Sequence, residues 1–339
     1  MRKLLIILIS VLCCNSLSAQ YYQNALGKTG NALKVELHDL IDNHLVQNWP
    51  LWTHFQTTDD KVSGHVWDMY SDIPGGTPPY TFNFSNTCGQ YSDEGDCFNH
   101  EHLWPKTYCN GNAYPTRSDL HHLVPTDGYV NNKRGSFPFG EVSNVAWTSD
   151  NGSRTGTSST YPTSSQVFEP IDSFKGDIAR ACFYMSVRYD GEDAAWTNWE
   201  MANGADLTTQ AIALLIAWHN LDPVSQKELD RNERVYQIQG NRNPFVDYPQ
   251  FVECIWGTSD CTPLSIDLLS DEKISVFPNP VDDILNIENA RKSILLDVSG
   301  KVLVETYEST IDMSVYRAGL YFLLLEKGDE IGTQKIIKK

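Results

Sequence analysis

The sequence predicts an α+β chain in two parts, a mixed domain of helices and short strands followed by a small all-β sandwich of the immunoglobulin-like kind. Three observations lead there. Apolar residues recur at helical spacing in several segments between residues 31 and 239, the signature of helices with one buried face. Beyond residue 273 the texture changes to short β-rich runs separated by turns, the pattern of a small antiparallel sandwich. At 339 residues the chain is also longer than one average domain.

Taken in order, Arg2 and Lys3 precede an apolar run from Leu4 to Leu12, and small residues at Ser18 and Ala19 lead to Gln20. This reads as a secretory signal peptide over residues 1–19, too short for a stable membrane span. Cys13 and Cys14 raise a lipid anchor, but the bulky Leu12 before Cys13 suits lipoprotein processing poorly. With the leader removed, Cys88, Cys97, Cys109, Cys182, Cys254 and Cys261 remain. An even number of cysteines in an exported chain, with no Cys-x-x-Cys pair, favours disulfides. Cys88 with Cys97 and Cys254 with Cys261 would close short loops, and Cys109 with Cys182 is what is left over. The formal net charge of -17 argues against a broadly basic nucleic-acid surface. Bulk charge governs solubility and encounter rate, however, and leaves the local chemistry of a cleft open.

The domain over residues 20–262 opens with a helix over Asn31 to Val46, burying Leu33, Leu37, Leu40, Ile41 and Leu45. Pro50 to Gly95 mixes Gly, Pro, Asn and Asp with aromatics and is expected to form loops and short strands. The polar run Ser149 to Thr160 reads as an exposed loop. Lys175 to Arg188 is helical, with Ile178, Ala181, Cys182, Met185 and Val187 on its apolar side. Thr208 to His219 is expected to be the central buried helix. Asp222-Pro223, a cap followed by proline, opens a charged helix to Gln239. Gly240 ends it, and Arg242 with its flanking asparagines reads as a hydrogen-bonded loop. An acidic connector over 263–273 leads to a sandwich over 274–339. Its strands are expected at Ile274–Phe277, Ile284–Ile287, Ile294–Leu296, Val302–Thr306, Leu320–Leu325 and Gln334–Ile337.

The chemistry concentrates between Asp96 and Gly140, where four of the nine histidines lie beside a carboxylate, an amide and an arginine. His102 can accept a proton from water near neutral pH. Glu101 is a hard oxygen ligand, Asn131 offers an amide oxygen, and Arg134 can hold a phosphate bidentately. One carboxylate and one amide leave most of an octahedral shell to water and substrate, which suits magnesium. His100, His121 and His122 could supply a closed zinc site, but Trp104 stands where metalloprotease spacing wants the second histidine. Adjacent strand side chains point to opposite faces, so Glu101 and His102 share a site only where the strand twists or ends.

Asn99-His100-Glu101-His102-Leu103-Trp104-Pro105, Asp119-Leu120-His121-His122-Leu123-Val124-Pro125 and Val130-Asn131-Asn132-Lys133-Arg134 resemble signatures of the bacterial endonuclease I family. Phe168-Glu169-Pro170 with Lys175 to Arg180, and Gln239 to Phe245, resemble its later motifs, so the likeness runs from about Ala25 to Glu253. The resemblance implies a secreted, sequence-tolerant nuclease for DNA and RNA, built on a ββα-metal (His-Me) finger surrounded by helices. It implies Glu101 and Asn131 as ligands of one Mg2+ (Ca2+ or Mn2+ as substitutes) and His102 as the base that activates water. In some members an arginine between the first two motifs steadies the phosphate, which points to Arg117, with Arg134 a separate candidate. Val276-Phe277-Pro278-Asn279-Pro280, Asp297 to Lys301, Ala318 to Tyr321 and the closing Lys335 to Lys339 resemble the sorting domain of type IX secretion. That likeness implies that machinery as a partner and export across the outer membrane, often with removal of this domain; the chain itself is expected to be a monomer.

Two rival functions are compatible with the same residues. One is an extracellular phosphodiesterase for small nucleotides, which would prefer fluorogenic diesters to plasmid. The other is a non-catalytic metal-binding surface protein, which would bind metal and leave plasmid intact.

Overall fold

The computed structural model describes residues 21–61, 64–158, 161, 166–257, 274–298, 300–327 and 330–339. The expected leader, the connector over 263–273 and Cys261 lie outside these residues. The chain divides into two compact units, one running from Tyr22 to Pro263 and the other containing Leu264–Lys339.

In the larger unit α1 spans Gly30–Ile41 and buries Leu33, Leu37 and Ile41. It stops short of Val46, because Asp42 is already extended and Asn43 takes a positive φ of 53°. A second helix, α2 (Trp52–Thr58), lies where only loops and strands were expected. Its Phe55 joins Leu51, Val66, Phe98, Leu120, Leu123 and Val235 in an apolar cluster. The expected short strands appear as the pair Asp60–Lys61 and His65–Val66.

Next come β1 (Phe98–His102), β2 (Leu123–Asp127) and α3 (Gly128–Arg134). They are followed by a three-stranded sheet of β3 (Asn144–Thr148), β4 (Arg154–Thr157) and β5 (Val167–Glu169). The polar run after Ser149 is therefore a hairpin, in whose turn Ser149, Asn151 and Ser153 are buried while Asp150 and Gly152 stay exposed. Asn151 Oδ1 accepts from the Ser153 N–H at 3.0 Å, and its Nδ2 donates to the Met69 and Asp72 carbonyls at 3.2 and 3.3 Å. Polar composition had suggested exposure, but internal hydrogen bonds satisfy these groups.

The central helix is α4 (Lys175–Arg188), buried at every position except Asp177. α5 (Thr209–Leu221), expected to hold that place, buries only one face. The charged residues of α4 hide its centrality in the sequence. Inside, Arg180 Nη2 donates to Glu228 at 2.9 Å and Lys175 Nζ to Glu169 at 3.0 Å, so each buried charge has a partner. α6 (Gln226–Gln239) begins at Ser225, not at Asp222. Ser225 and Glu228 form a reciprocal capping box, which outcompetes a lone Asp-Pro start. Gly240 ends α6 in the left-handed conformation, as expected. Arg242 pairs with Asp247 and Glu233, as a structural loop would require.

In the smaller unit β6 (Ser275–Phe277), β7 (Ile284–Glu288) and β10 (Thr310–Asp312) form one antiparallel sheet. β8 (Lys292–Asp297), β9 (Val302–Thr306), β11 (Gly319–Lys327) and β12 (Glu330–Lys338) form another, in the order β9-β8-β11-β12. Leu285, Ile287 and Ile311 from the first meet Leu295, Leu323 and Ile336 from the second in one core. β10 is the one strand the sequence did not reveal.

Cys88 and Cys97 form a disulfide, and Cys254 is also disulfide-bonded. Cys109 and Cys182 do not pair, contrary to expectation. Both are buried free thiols, and burial pushes each up to about 12. They pack as small apolar residues. The Cys88–Cys97 bridge closes a loop that leads directly into β1. Replacing both cysteines with serine is expected to cost about 2–3 kcal/mol of stability through loop entropy, measurable as a lower urea midpoint.

Candidate active site

The candidate residues sit on a strand–strand–helix unit. β1 and β2 are antiparallel, with Glu101 opposite Val124 and His102 opposite Leu123. Asp127 ends β2 and caps α3, accepting from the Tyr129 and Val130 N–H groups at 2.8 and 2.9 Å. At the other end of α3, Arg134 donates to the His102 and Leu103 carbonyls at 3.1 and 2.7 Å. The helix is thus tied to β2 by its cap and to the end of β1 by its last residue.

Glu101 and His102 are both still paired in the β1–β2 ladder, and β1 ends directly after His102. Glu101 is 2% exposed. Its Oε1 accepts from the Tyr70 hydroxyl at 2.8 Å and lies 3.3 Å from Arg134 Nη1. Burial pushes this carboxyl up to about 7, although Arg134 and Tyr70 oppose the shift. Asn131 Nδ2 donates to Asn99 Oδ1 at 2.7 Å and to the His100 carbonyl at 3.1 Å. Its Oδ1 makes no hydrogen bond among the described residues. A carboxylate and an uncommitted carboxamide oxygen are both hard oxygen donors, a type that suits a hard divalent cation better than zinc.

His102 packs on the other side. Its Nε2 is 3.1 Å from the Arg117 carbonyl, and a carbonyl only accepts, so Nε2 carries the proton and Nδ1 keeps the lone pair. Nδ1 makes no hydrogen bond among the described residues. The ring stacks on Trp49 with a 17° interplanar angle and approaches His122 at 5.5 Å. Burial, then the nearby His122 and Lys106 charges, holds His102 well below the usual histidine range, although the Arg117 carbonyl opposes this. The ring is therefore neutral and able to accept a proton.

The two arginines differ. Arg134 is 1% exposed and its guanidinium is spent on backbone carbonyls, on Glu101 and on the face of Phe139. The expectation that it holds phosphate is corrected on this ground. Arg117 lies in the connection between β1 and β2, its guanidinium 4.7 Å from the Trp49 ring and 5.8 Å from the Tyr114 ring. The guanidinium makes no hydrogen bond or ion pair among the described residues.

The remaining histidines are structural. His100 is wedged against Trp52 and Trp49, accepts from the Leu51 N–H, and is held down to about 3 by burial. His121 and His122 donate from Nε2 to the Asn241 and Thr116 carbonyls at 3.1 and 2.8 Å. Asp119 accepts from Tyr184, Tyr189 and Gln239 and so fastens the Arg117 connection to α4 and α6. Among the described residues one other group converges, the His38, Asp42 and Glu192 ligand atoms within 4.8 Å. Arg188 Nη1 already contacts both of its carboxylates.

Residues 29–250 match the model of the family described as Endonuclease I. The chain belongs to the endonuclease I family. Among relatives of this endonuclease I chain, the extracellular ribonuclease of Bacillus amyloliquefaciens is 34% identical over 250 residues, covering 70% of this chain and 78% of the relative. The Endonuclease-1 of Buchnera aphidicola subsp. Acyrthosiphon pisum is 25% identical, over 50% of this chain and 56% of its own length. An extracellular deoxyribonuclease of Aeromonas hydrophila is 31% identical over 38% of this chain and 48% of its own. Residues 275–339 match a secretion system C-terminal sorting domain. This endonuclease I chain is thus a nuclease exported by type IX secretion to the cell surface or beyond. No helix among the described residues is long and apolar enough to cross a membrane.

Sequence motifs had singled out Glu101, His102, Asn131 and Arg134, with Arg117 a further candidate between the motifs. They did not reveal Tyr70 or Trp49, which reach the site through tertiary packing and carry no spacing signal of their own.

Proposed function

We propose that this chain is a sequence-tolerant, magnesium-dependent endonuclease that hydrolyses DNA and RNA to 5′-phosphate products and acts as a monomer. Residues 20–262 form its nuclease part, 263–273 a connector and 274–339 the sorting part. Relatives named for ribonuclease and for deoxyribonuclease activity favour both substrates. The strand–strand–helix unit serves as a His-Me finger, in which Glu101 and Asn131 would hold one divalent cation, with Ca2+ or Mn2+ as substitutes for Mg2+. When bound, that cation supplies positive charge to the phosphate and to the departing 3′ oxygen. His102 Nδ1 takes a proton from water attacking phosphorus in line. The hydrogen bond from Nε2 to the Arg117 carbonyl fixes the ring during the transfer. The Arg117 guanidinium holds a phosphate oxygen, while Arg134 positions the end of β1 and the Glu101 carboxyl.

The observation that carries this reading is the double role of Arg117. Its carbonyl orients the base at 3.1 Å, while its guanidinium makes no protein hydrogen bond among the described residues and lies over Trp49, on which the His102 ring stacks. The test is purified mature protein on supercoiled plasmid and on RNA, with magnesium or with chelator. Both substrates should be cut only with magnesium, and undiminished cutting in chelator would sink the proposal. Glu101→Ala is expected to raise the magnesium concentration for half-maximal rate by about 10- to 100-fold or more, since loss of even a supporting partner of a ligand has that effect. An unchanged magnesium titration would remove Glu101 from the ligand set.

A further inference from the structure

We propose that Tyr114, together with the Arg117 guanidinium seated on Trp49, is a stacking platform for the base beside the scissile phosphate, so that single-stranded nucleic acid is the preferred substrate. The inference deepens the nuclease reading and rests on it for the position of the phosphate. Tyr114 is 48% exposed, a large aromatic left in water beside Trp49 and Arg117. Its hydroxyl accepts from the Trp49 N–H at 3.4 Å, and its ring lies 5.8 Å from the Arg117 guanidinium. That guanidinium lies 4.7 Å from the Trp49 ring, which stacks in turn on His102. An unbroken series of flat groups therefore runs from the exposed tyrosine to the ring that would take the proton.

Flat aromatic and guanidinium surfaces bind nucleobases by stacking without regard to sequence, and the adjacent positive charge attracts the backbone. A base can reach such a surface only when it is unstacked, as in a single strand; in a duplex its faces are already covered. The occupant is thus a base in a single strand, and the unpaired Arg117 gives the charge complementarity to its phosphate. The net charge of -17 sharpens this point, because little long-range attraction is available and local contacts must supply the affinity.

The experiment measures binding of a fluorescent thymidylate oligomer and of a duplex by anisotropy in chelator, then cleavage of both with magnesium. Wild type should bind the single strand more tightly than the duplex. Tyr114→Ala should weaken single-strand binding by roughly 5- to 150-fold, the usual worth of one base–aromatic stack, with little change for duplex. Tyr114→Phe, which keeps the ring, should recover most of the loss. Tyr307→Ala, at a tyrosine 72% exposed in the smaller unit, is the control and should bind as wild type. If wild type cuts both substrates and Tyr114→Ala binds the oligomer unchanged, the platform is overturned and the nuclease stands. If wild type cuts neither but loses oligomer binding on Tyr114→Ala, the platform stands and the nuclease reading fails. Absence of any oligomer binding by wild type overturns the platform.

Discussion

His102→Ala is expected to lower turnover on plasmid and on RNA by about 10²- to 10⁴-fold, the scale of a lost general base, with the fold and substrate binding retained. The expectation follows from the ring's hydrogen bonds. Nε2 is committed to the Arg117 carbonyl and Nδ1 is the nitrogen left with a lone pair. Because His102 is 8% exposed and stacks on Trp49, alanine also leaves a small void. His102→Gln is the control for that, since its amide can still donate to the Arg117 carbonyl but cannot take a proton. A base role predicts that both variants lose turnover while KM stays near wild type. A purely structural role predicts that glutamine recovers activity along with stability. Wild-type nicking rates for both variants would end the assignment.

The sequence exposed those features whose cause is local. Lys175–Arg188 and the glycine stop at Gly240 were legible because helix spacing and backbone freedom act over a few residues. Six of the seven strands of the smaller unit were legible for the same reason, and Thr310–Asp312 was missed as a three-residue run. The failures share a different cause. Trp52–Thr58 is a seven-residue helix with no side-chain cap, held by packing against a distant cluster. Asn151 in the Ser149–Ser153 turn is buried because it donates to the Met69 and Asp72 carbonyls. Cys109 and Cys182 were paired by elimination alone, and spacing carries no information on burial. At the site, residue type pointed to Glu101, His102 and Asn131, since carboxylate, imidazole and amide have few other reasons to gather. The division of labour between Arg117 and Arg134 was not legible. Both are arginines in motif-rich segments, and only the fold decides which guanidinium meets water.

Arg134→Ala is expected to destabilise the larger unit by about 3–5 kcal/mol, the cost of breaking a buried ion pair by removing one partner. The substitution would leave Glu101 buried without its counter-charge. It would also strip the His102, Leu103 and Gly135 carbonyls of donors at 3.1, 2.7 and 3.3 Å. Arg134→Lys should recover only part of the loss, because an ammonium cannot span the carbonyls that the planar fork reaches. The deciding measurement pairs urea unfolding with the salt dependence of substrate binding. A positioning arginine lowers the urea midpoint and leaves the salt slope unchanged. A phosphate-holding arginine lowers affinity, reduces the slope by about one counterion and leaves stability near wild type. The opposite signature is expected for Arg117→Ala, whose guanidinium makes no protein hydrogen bond among the described residues and lies over Trp49. Were the two variants to exchange signatures, Arg134 would return as the phosphate ligand and the end of β1 would need another support.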